Sequence, residues 1–119
     1  MNKKLNASKL RIIASQVRRD VVRMVHNVQS GHPGGSLGCT DFFVTLFFNI
    51  MNRNKSFSMN GIGEDIFFLS NGHISPVWYS VLARSGYFNI EELATFRKLD
   101  SRLFLWYATL IFGKAVCLF

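Results

Sequence analysis

Residues 66–73 read IFFLSNGH, and this stretch decides the class of fold. Its first four residues form a continuous apolar run bounded by polar and turn-forming residues. Such a run is typical of a buried strand in a parallel sheet. The polar turn that follows would lie at the carboxyl end of that strand, where α/β proteins bind their ligands. We therefore expect an α/β fold with at least one buried parallel strand, and His73 pointing toward that edge.

Helical patterns precede this strand. From Ser8 to Val28, apolar residues recur at three- and four-residue spacing while the arginines fall in a different arc, which predicts an amphipathic helix capped by Asn6 or Ser8. The segment from Leu37 to Met51 is apolar nearly all round, so it predicts a helix buried on most sides. This second segment is too short and too interrupted by polar residues to cross a bilayer.

Further helical signals follow the strand. Ser75 and Pro76 favour a helix from Pro76 to Ser85, and Gly86 stands where a helix end requires a left-handed residue. Asn89 with Glu92 forms a capping-box variant, which predicts a short helix to about Lys98. Residues 52–65 are polar and contain glycine, so we expect a loop there.

Length and composition narrow the class of protein. The chain has 119 residues, enough for one domain, and 49% of them are hydrophobic, so a core can form and wholesale disorder is excluded. Two cysteines are too few for a disulfide framework. No apolar stretch follows the first lysines, so we expect no secretory signal and a cytoplasmic location.

The net charge of +7 is concentrated at one end of the chain. Residues 1–23 hold seven basic side chains and a single acidic one, whereas the remaining residues are almost balanced. A solvated helix face explains this excess, so we expect neither a nucleic-acid partner nor a membrane partner. A basic protein that binds an anionic surface remains an alternative.

Two histidines stand in glycine-containing loops beside buried elements. His32 lies in residues 29–36, QSGHPGGS, a loop whose end at Ser36 would cap the next helix, and His73 lies in the turn after the strand. Each could be a turn residue or a site residue. His26 lies near the end of the first helix, where its imidazole suits the helix dipole and a structural role. The spacing matches no known phosphate loop or metal cluster.

The same two loops resemble the first and second signature loops of transketolases. The matching runs are Ser30–Leu37 and Leu69–His73, and parts of the segment from Gly86 to Leu103 are also similar. The resemblance extends from about residue 8 to residue 103, and it fits transketolase, particularly the separately encoded N-terminal subunits, better than deoxyxylulose-phosphate synthase. It implies the N-terminal portion of a thiamine-diphosphate-binding domain, mostly helical in this chain.

The resemblance also implies a reaction. Transketolases use thiamine diphosphate and Mg²⁺ to move a two-carbon ketol unit between sugar phosphates, a reaction of the pentose phosphate pathway. By this resemblance His32 would contact the sugar and assist proton transfer, and His73 would lie near the cofactor diphosphate. An imidazole suits both roles because it titrates near neutrality and can donate hydrogen bonds to anionic oxygens.

The chain departs from the family pattern after Leu103. The family's third histidine motif, Gly-His-Pro, and its metal-binding Gly-Asp-Gly motif with a downstream Asn do not follow, so we assign no metal ligand. We expect residues 1–103 to be a partial cofactor-binding domain and residues 104–119 a hydrophobic tail unrelated to the family. The chain alone should then be inactive, and the complete enzyme would be a homo-oligomer or include a C-terminal subunit. A noncatalytic binding module on the same scaffold remains the alternative.

Overall fold

The computed structural model describes residues 4–53 and 62–103 and the backbone of residues 115–117. Helices dominate, and one short parallel strand pair accompanies them, so the predicted α/β class is confirmed. The elements in chain order are α1 (Ala7–Val28), α2 (Pro33–Thr45), a π-helical turn (Leu46–Ile50), β1 (Phe67–Leu69), a 3₁₀ turn (Gly72–Ile74), α3 (Ser75–Arg84), a 3₁₀ helix (Ile90–Thr95) and β2 (Ala115–Cys117).

Helix α1 forms as the spacing predicts. Of the two candidate caps, Asn6 is the one used, because its side-chain oxygen accepts a hydrogen bond from the Lys9 amide at 2.9 Å. One stripe of the helix packs on the core, and the arginines at 11, 19 and 23 are exposed, as expected for a solvated face. The buried apolar residues of that stripe are Ala14, Val17, Val21 and Met24.

Helix α2 begins earlier than predicted, at Pro33. Proline favours the first helical position because its ring presets the helical φ angle. Ser36 is therefore not a cap but a buried residue inside the helix, and its Oγ accepts a hydrogen bond from the Val77 amide at 3.3 Å. The predicted loop over residues 29–36 is shortened accordingly.

The predicted burial of residues 37–51 on most sides is wrong. The α-helix ends at Thr45 and a π-helical turn follows it. Phe43 and Phe47 are buried, whereas Phe42 and Ile50 are 62% and 66% exposed. Helices α1 and α3 pack against this segment, while positions such as Phe42 and Ile50 stay open to solvent. None of the helices in the described part of the chain is long and apolar enough to cross a membrane.

Strand β1 is parallel to its partner β2, as predicted, with Phe68 opposite Val116. Its predicted burial is only partly correct, because Leu69 is buried and Phe68 is 60% exposed. Side chains alternate between the two faces of a strand. Phe67 packs on the helical side, with its ring centroid 5.6 Å from that of Phe43.

Strand β2 lies in the segment for which the sequence predicted no element. Pairing through backbone hydrogen bonds does not require a periodic side-chain pattern, which explains why the pattern did not reveal it. The rest of the predicted hydrophobic tail, residues 104–114 and 118–119, lies outside the described residues, as do residues 54–61 of the predicted loop.

Helix α3 is the central element of the core. Every residue from Ser75 to Ala83 is buried, and Trp78 has no exposed surface. Pro76 lies in its first turn, and Gly86 follows its end with a φ of 95°, so both predicted boundary signals are confirmed. The helix ends at Arg84, close to the predicted Ser85.

The predicted helix after Asn89 is a shorter 3₁₀ helix that ends at Thr95 rather than near Lys98. The capping box does not form, since the Asn89 side chain makes no capping hydrogen bond. The Glu92 carboxylate instead accepts a hydrogen bond from Arg102 Nε at 2.8 Å. This ion pair removes the carboxylate from the position a capping box requires.

Candidate functional site

The structure brings His32 and His73 together. Their ring centroids are 4.9 Å apart and the ring planes meet at 73°, an edge-to-face arrangement. Both side chains are exposed, so a ligand can reach the imidazoles. The two loops that the sequence predicted to carry site residues therefore form one surface, which we call the histidine pair.

His32 is placed by the residues on either side of it. Gly31 has a φ of 128°, which a residue with a side chain rarely adopts, and a Cβ there would lie 3.1 Å from Val25 Cγ2. Pro33 then starts α2 immediately, so His32 occupies the cap position of that helix. Its backbone is consequently held between a tight turn and a helix.

His73 is placed by the short turn that follows β1. The Asn71 side-chain oxygen accepts a hydrogen bond from the His73 amide at 3.2 Å, which closes the turn locally. The next residue, Ile74, is buried against α2, and a Cβ at Gly35 would lie 2.9 Å from Ile74 Cγ2. Glycine at position 35 thus allows the two histidine loops to approach each other.

Two helix N-termini lie beside the histidine pair. Helix α2 starts directly after His32, and α3 starts two residues after His73. The hydrogen bond between Ser36 Oγ and the Val77 amide joins the first turns of these helices. Helix N-termini carry partial positive charge and favour anions, so the surface suits an anionic group such as a phosphate.

The acidic side chains near these loops are engaged elsewhere. Asp41 forms an ion pair with Arg18 at 3.0 Å, and Asp65 accepts a hydrogen bond from the Asn52 amide at 2.7 Å. Within residues 4–53 and 62–103, no group of three or more His, Cys, Asp or Glu side chains could hold a metal ion. The described residues therefore fit an anionic ligand and contain no cluster of three such metal-ligating side chains.

His26 lies on the exposed side of α1, where its ring nitrogen is 3.4 Å from the Gln29 side-chain amide. It also lines a groove of about 500 Å³ between α1 and the 3₁₀ helix, together with Leu93 and Lys98. Neither His32 nor His73 lines this groove. The structural role predicted for His26 stays a prediction.

Sequence reasoning missed two polar residues that organise this region. Asp20 is buried and accepts hydrogen bonds from Arg84 and Ser80, and the hydrogen bond to Asp20 raises the pKa of the Arg84 guanidinium. Its position one turn after Val17, on the apolar stripe of α1, is the signal that could have revealed it. Arg97 donates a hydrogen bond to Ser30 Oγ across the fold, and no local pattern marks that contact.

Comparison with known proteins gives a consistent result. The family model described as "Transketolase, thiamine diphosphate binding domain" matches residues 9–104. The chain is 40% identical over 91 residues to the transketolase of Buchnera aphidicola from Acyrthosiphon pisum, 38% over 93 residues to transketolase 1 of Pasteurella multocida, and 37% over 91 residues to transketolase 1 of Vibrio cholerae. These alignments cover 76–77% of this chain.

The same alignments cover 14% of each relative, so the chain spans a small part of the length of the curated relatives it matches. The match nevertheless includes both histidine loops and all three α-helices except the first residues of α1. Because the family model accounts for most of the chain, and because relatives at up to 40% identity carry the same name, this chain belongs to the transketolase family.

Proposed function

We propose that this chain forms part of the cofactor and substrate surface of a transketolase, which transfers a two-carbon ketol unit between sugar phosphates. The observation that carries the proposal is the histidine pair, with ring centroids 4.9 Å apart beside the N-termini of α2 and α3. In this proposal residues 1–103 are a partial thiamine-diphosphate-binding domain. Residues 104–119 would then be a hydrophobic tail unrelated to the family, although the family match reaches residue 104.

The two imidazoles would act on different ligands. His73, in the turn between β1 and α3, would donate a hydrogen bond to the diphosphate of the cofactor, and the first turn of α3 would add its dipole. His32 would contact the sugar and hold or release a proton during transfer. Thiamine diphosphate, when bound, supplies the carbanion chemistry, and the residues of this chain would bind and orient the cofactor and the sugar.

The Mg²⁺ ion expected with the diphosphate requires ligands beyond those described. A divalent ion of this kind takes several oxygen ligands at close range, usually with a carboxylate among them. Asp41 and Asp65 are committed to other partners, as described above. We propose that the ion's protein ligands are those of the family's Gly-Asp-Gly motif and its downstream Asn, a motif that residues 1–119 do not contain.

A chimeric enzyme tests the proposal directly. Residues 9–103 would replace the matching segment of the Buchnera aphidicola transketolase, and ketol transfer and thiamine diphosphate affinity would be measured. We expect an active chimera in which His32→Ala lowers turnover about 10²- to 10⁴-fold with cofactor affinity largely intact, as for loss of general acid–base catalysis. His73→Ala should weaken cofactor affinity more than sugar affinity.

The control and the contrary results are defined in the same assay. His26→Ala removes the third histidine, which lies outside the histidine pair, and should leave both turnover and cofactor affinity unchanged. A folded chimera that binds no cofactor and transfers no ketol unit would instead support the noncatalytic binding module. An active chimera that tolerates His32→Ala with every donor and acceptor sugar would refute the role of His32.

A further inference from the structure

Arg97 contacts the loop that carries His32. Its Nη1 atom donates a hydrogen bond to Ser30 Oγ at 2.6 Å, two residues before the histidine. The same nitrogen would lie 3.8 Å from a Cβ at Gly31, so the guanidinium borders both residues that lead into His32. The contact joins positions that are distant in the chain.

Arg97 also contacts the buried Phe96 ring and makes a backbone hydrogen bond of its own. Its carbon atom lies 5.3 Å from the ring centroid of Phe96, a residue that is 2% exposed. Arg97 has a φ of 56°, an uncommon left-handed conformation, and its amide donates to the Leu103 carbonyl at 3.1 Å. A side chain fixed in this way loses little further conformational entropy when it bonds Ser30.

The direction of the pKa shift of Arg97 is consistent with a partly buried guanidinium. Burial lowers the pKa of the Arg97 guanidinium from its usual value, and Tyr79 acts in the opposite direction. Arginine nevertheless remains charged at neutral pH. A charged donor to a hydroxyl gives a stronger and more directional hydrogen bond than a neutral donor.

The 3₁₀ helix has further contacts with the rest of the fold besides this hydrogen bond. Leu93 and Phe96 are buried in the core, and the Asn27 side chain donates to the Ala94 carbonyl at 3.2 Å. These interactions already attach the segment to α1. The hydrogen bond from Arg97 to Ser30 therefore acts on the histidine loop rather than on the attachment of its own segment.

We propose that Arg97 is a positioning residue that holds Ser30 and thereby places the His32 ring against His73. Its importance for ketol transfer rests on the proposed function, whereas its effect on the ring geometry does not. Without the guanidinium, the glycine-rich turn at position 31 would gain freedom, and the edge-to-face contact of the two imidazoles would be lost.

The test uses the 119-residue chain with isotope labels in the absence of any cofactor. The readout is the nuclear Overhauser effect between the ring protons of His32 and His73. The midpoint of thermal unfolding is measured for each variant as well. We expect Arg97→Ala and Ser30→Ala each to abolish the inter-ring signal. Ser30→Thr keeps a hydroxyl and should retain it.

Arg102→Ala is the matched control. Arg102 also lies over a phenylalanine, with its guanidinium carbon 5.2 Å from the Phe88 ring centroid, and it pairs with Glu92. The Arg102→Ala substitution should leave the inter-ring signal intact even if it lowers the midpoint of thermal unfolding. Retention of the signal in Arg97→Ala or Ser30→Ala overturns the proposal. If Arg97→Ala does not fold, the Ser30 variants decide the question, because Ser30 is exposed.

This experiment separates the inference from the proposed function. Cofactor binding and ketol transfer are absent from it, so an inactive chimera would leave the inter-ring result unchanged. Conversely, if Arg97 proves not to position His32, the chimera assay still tests whether His32 contacts the sugar and His73 the diphosphate.

Discussion

Gly35 and Ile74 show how a single residue controls the meeting of two loops. The Ile74 Cγ2 atom lies 2.9 Å from the place where a Cβ at position 35 would stand, which is closer than real Cβ contacts allow. Ile74 is buried, so it has little room to move away. Gly34, one position earlier in the same helical turn, has no atom within 4 Å of its Cβ position. The neighbouring glycines thus face different constraints.

Replacing each glycine with alanine should give opposite effects. Gly35→Ala forces a methyl group against Ile74, and overpacking of this kind costs about 1–3 kcal/mol of unfolding free energy. Gly34→Ala meets open space and should stabilise the chain by about 0.5–1 kcal/mol, because alanine loses less backbone entropy in a helix. Urea denaturation followed by circular dichroism measures both values. Equal effects of the two substitutions would contradict the close contact.

Helices α1 and α3 are joined by a buried ion pair. Asp20 is 5% exposed and accepts hydrogen bonds from Arg84 Nη2 at 2.8 Å and Ser80 Oγ at 2.7 Å. The hydrogen bond raises the pKa of the Arg84 guanidinium, which means that folding favours its charged form. A group with a raised pKa stabilises the folded state until the pH rises through that pKa. The stabilisation that the charged Arg84 contributes therefore persists throughout the neutral range.

Breaking this pair should be far more costly than breaking an exposed one. Asp20→Ala leaves the Arg84 charge and the Ser80 hydroxyl without their acceptor, and loss of one partner of a buried ion pair costs about 3–5 kcal/mol. Asp41→Ala breaks the ion pair with Arg18. Because the Asp41 side chain is 75% exposed, this substitution should lower the unfolding free energy by less than about 1 kcal/mol. Chemical denaturation of both variants measures the difference. A loss below 1 kcal/mol for Asp20→Ala would refute the predicted role of the buried pair.

At the scale of the whole molecule, several large apolar side chains of the described residues are exposed. Phe42, Ile66 and Phe68 are each about 60% exposed, and Ile62 is 82% exposed. The chain also spans 14% of the length of its curated relatives.

The chain by itself should therefore bind thiamine diphosphate with Mg²⁺ weakly and show no ketol transfer. Within the described residues no cluster of three metal-ligating side chains is present for the ion. We therefore expect His73 and a few amides to offset the desolvation of a diphosphate alone, which is costly for a charged group. Isothermal titration calorimetry with cofactor and Mg²⁺, beside a coupled transfer assay, measures both properties. The complete Buchnera aphidicola enzyme is the positive control. Micromolar, metal-dependent binding by the 119-residue chain would show that it carries a diphosphate site beyond the described residues.

The sequence by itself determined the features that depend on neighbours in the chain. The periodicity of residues 8–28 predicted α1, and Pro76 and Gly86 predicted the limits of α3, because caps, breakers and helical spacing act within a few residues. The glycine-containing turns around His32 and His73 were also recognisable locally. The α/β class and the parallel strand followed from a short apolar run.

Only the tertiary structure decided which distant residues meet and which faces are covered. The contact between His32 and His73 depends on the packing of α2 against the turn after β1, and a one-dimensional pattern does not encode that distance. The burial of Asp20 required a partner on another helix, and the exposure of Phe68 reflects which side of β1 the helices cover. These outcomes arise from packing between elements, where the free energy of a residue depends on neighbours that the local sequence does not specify.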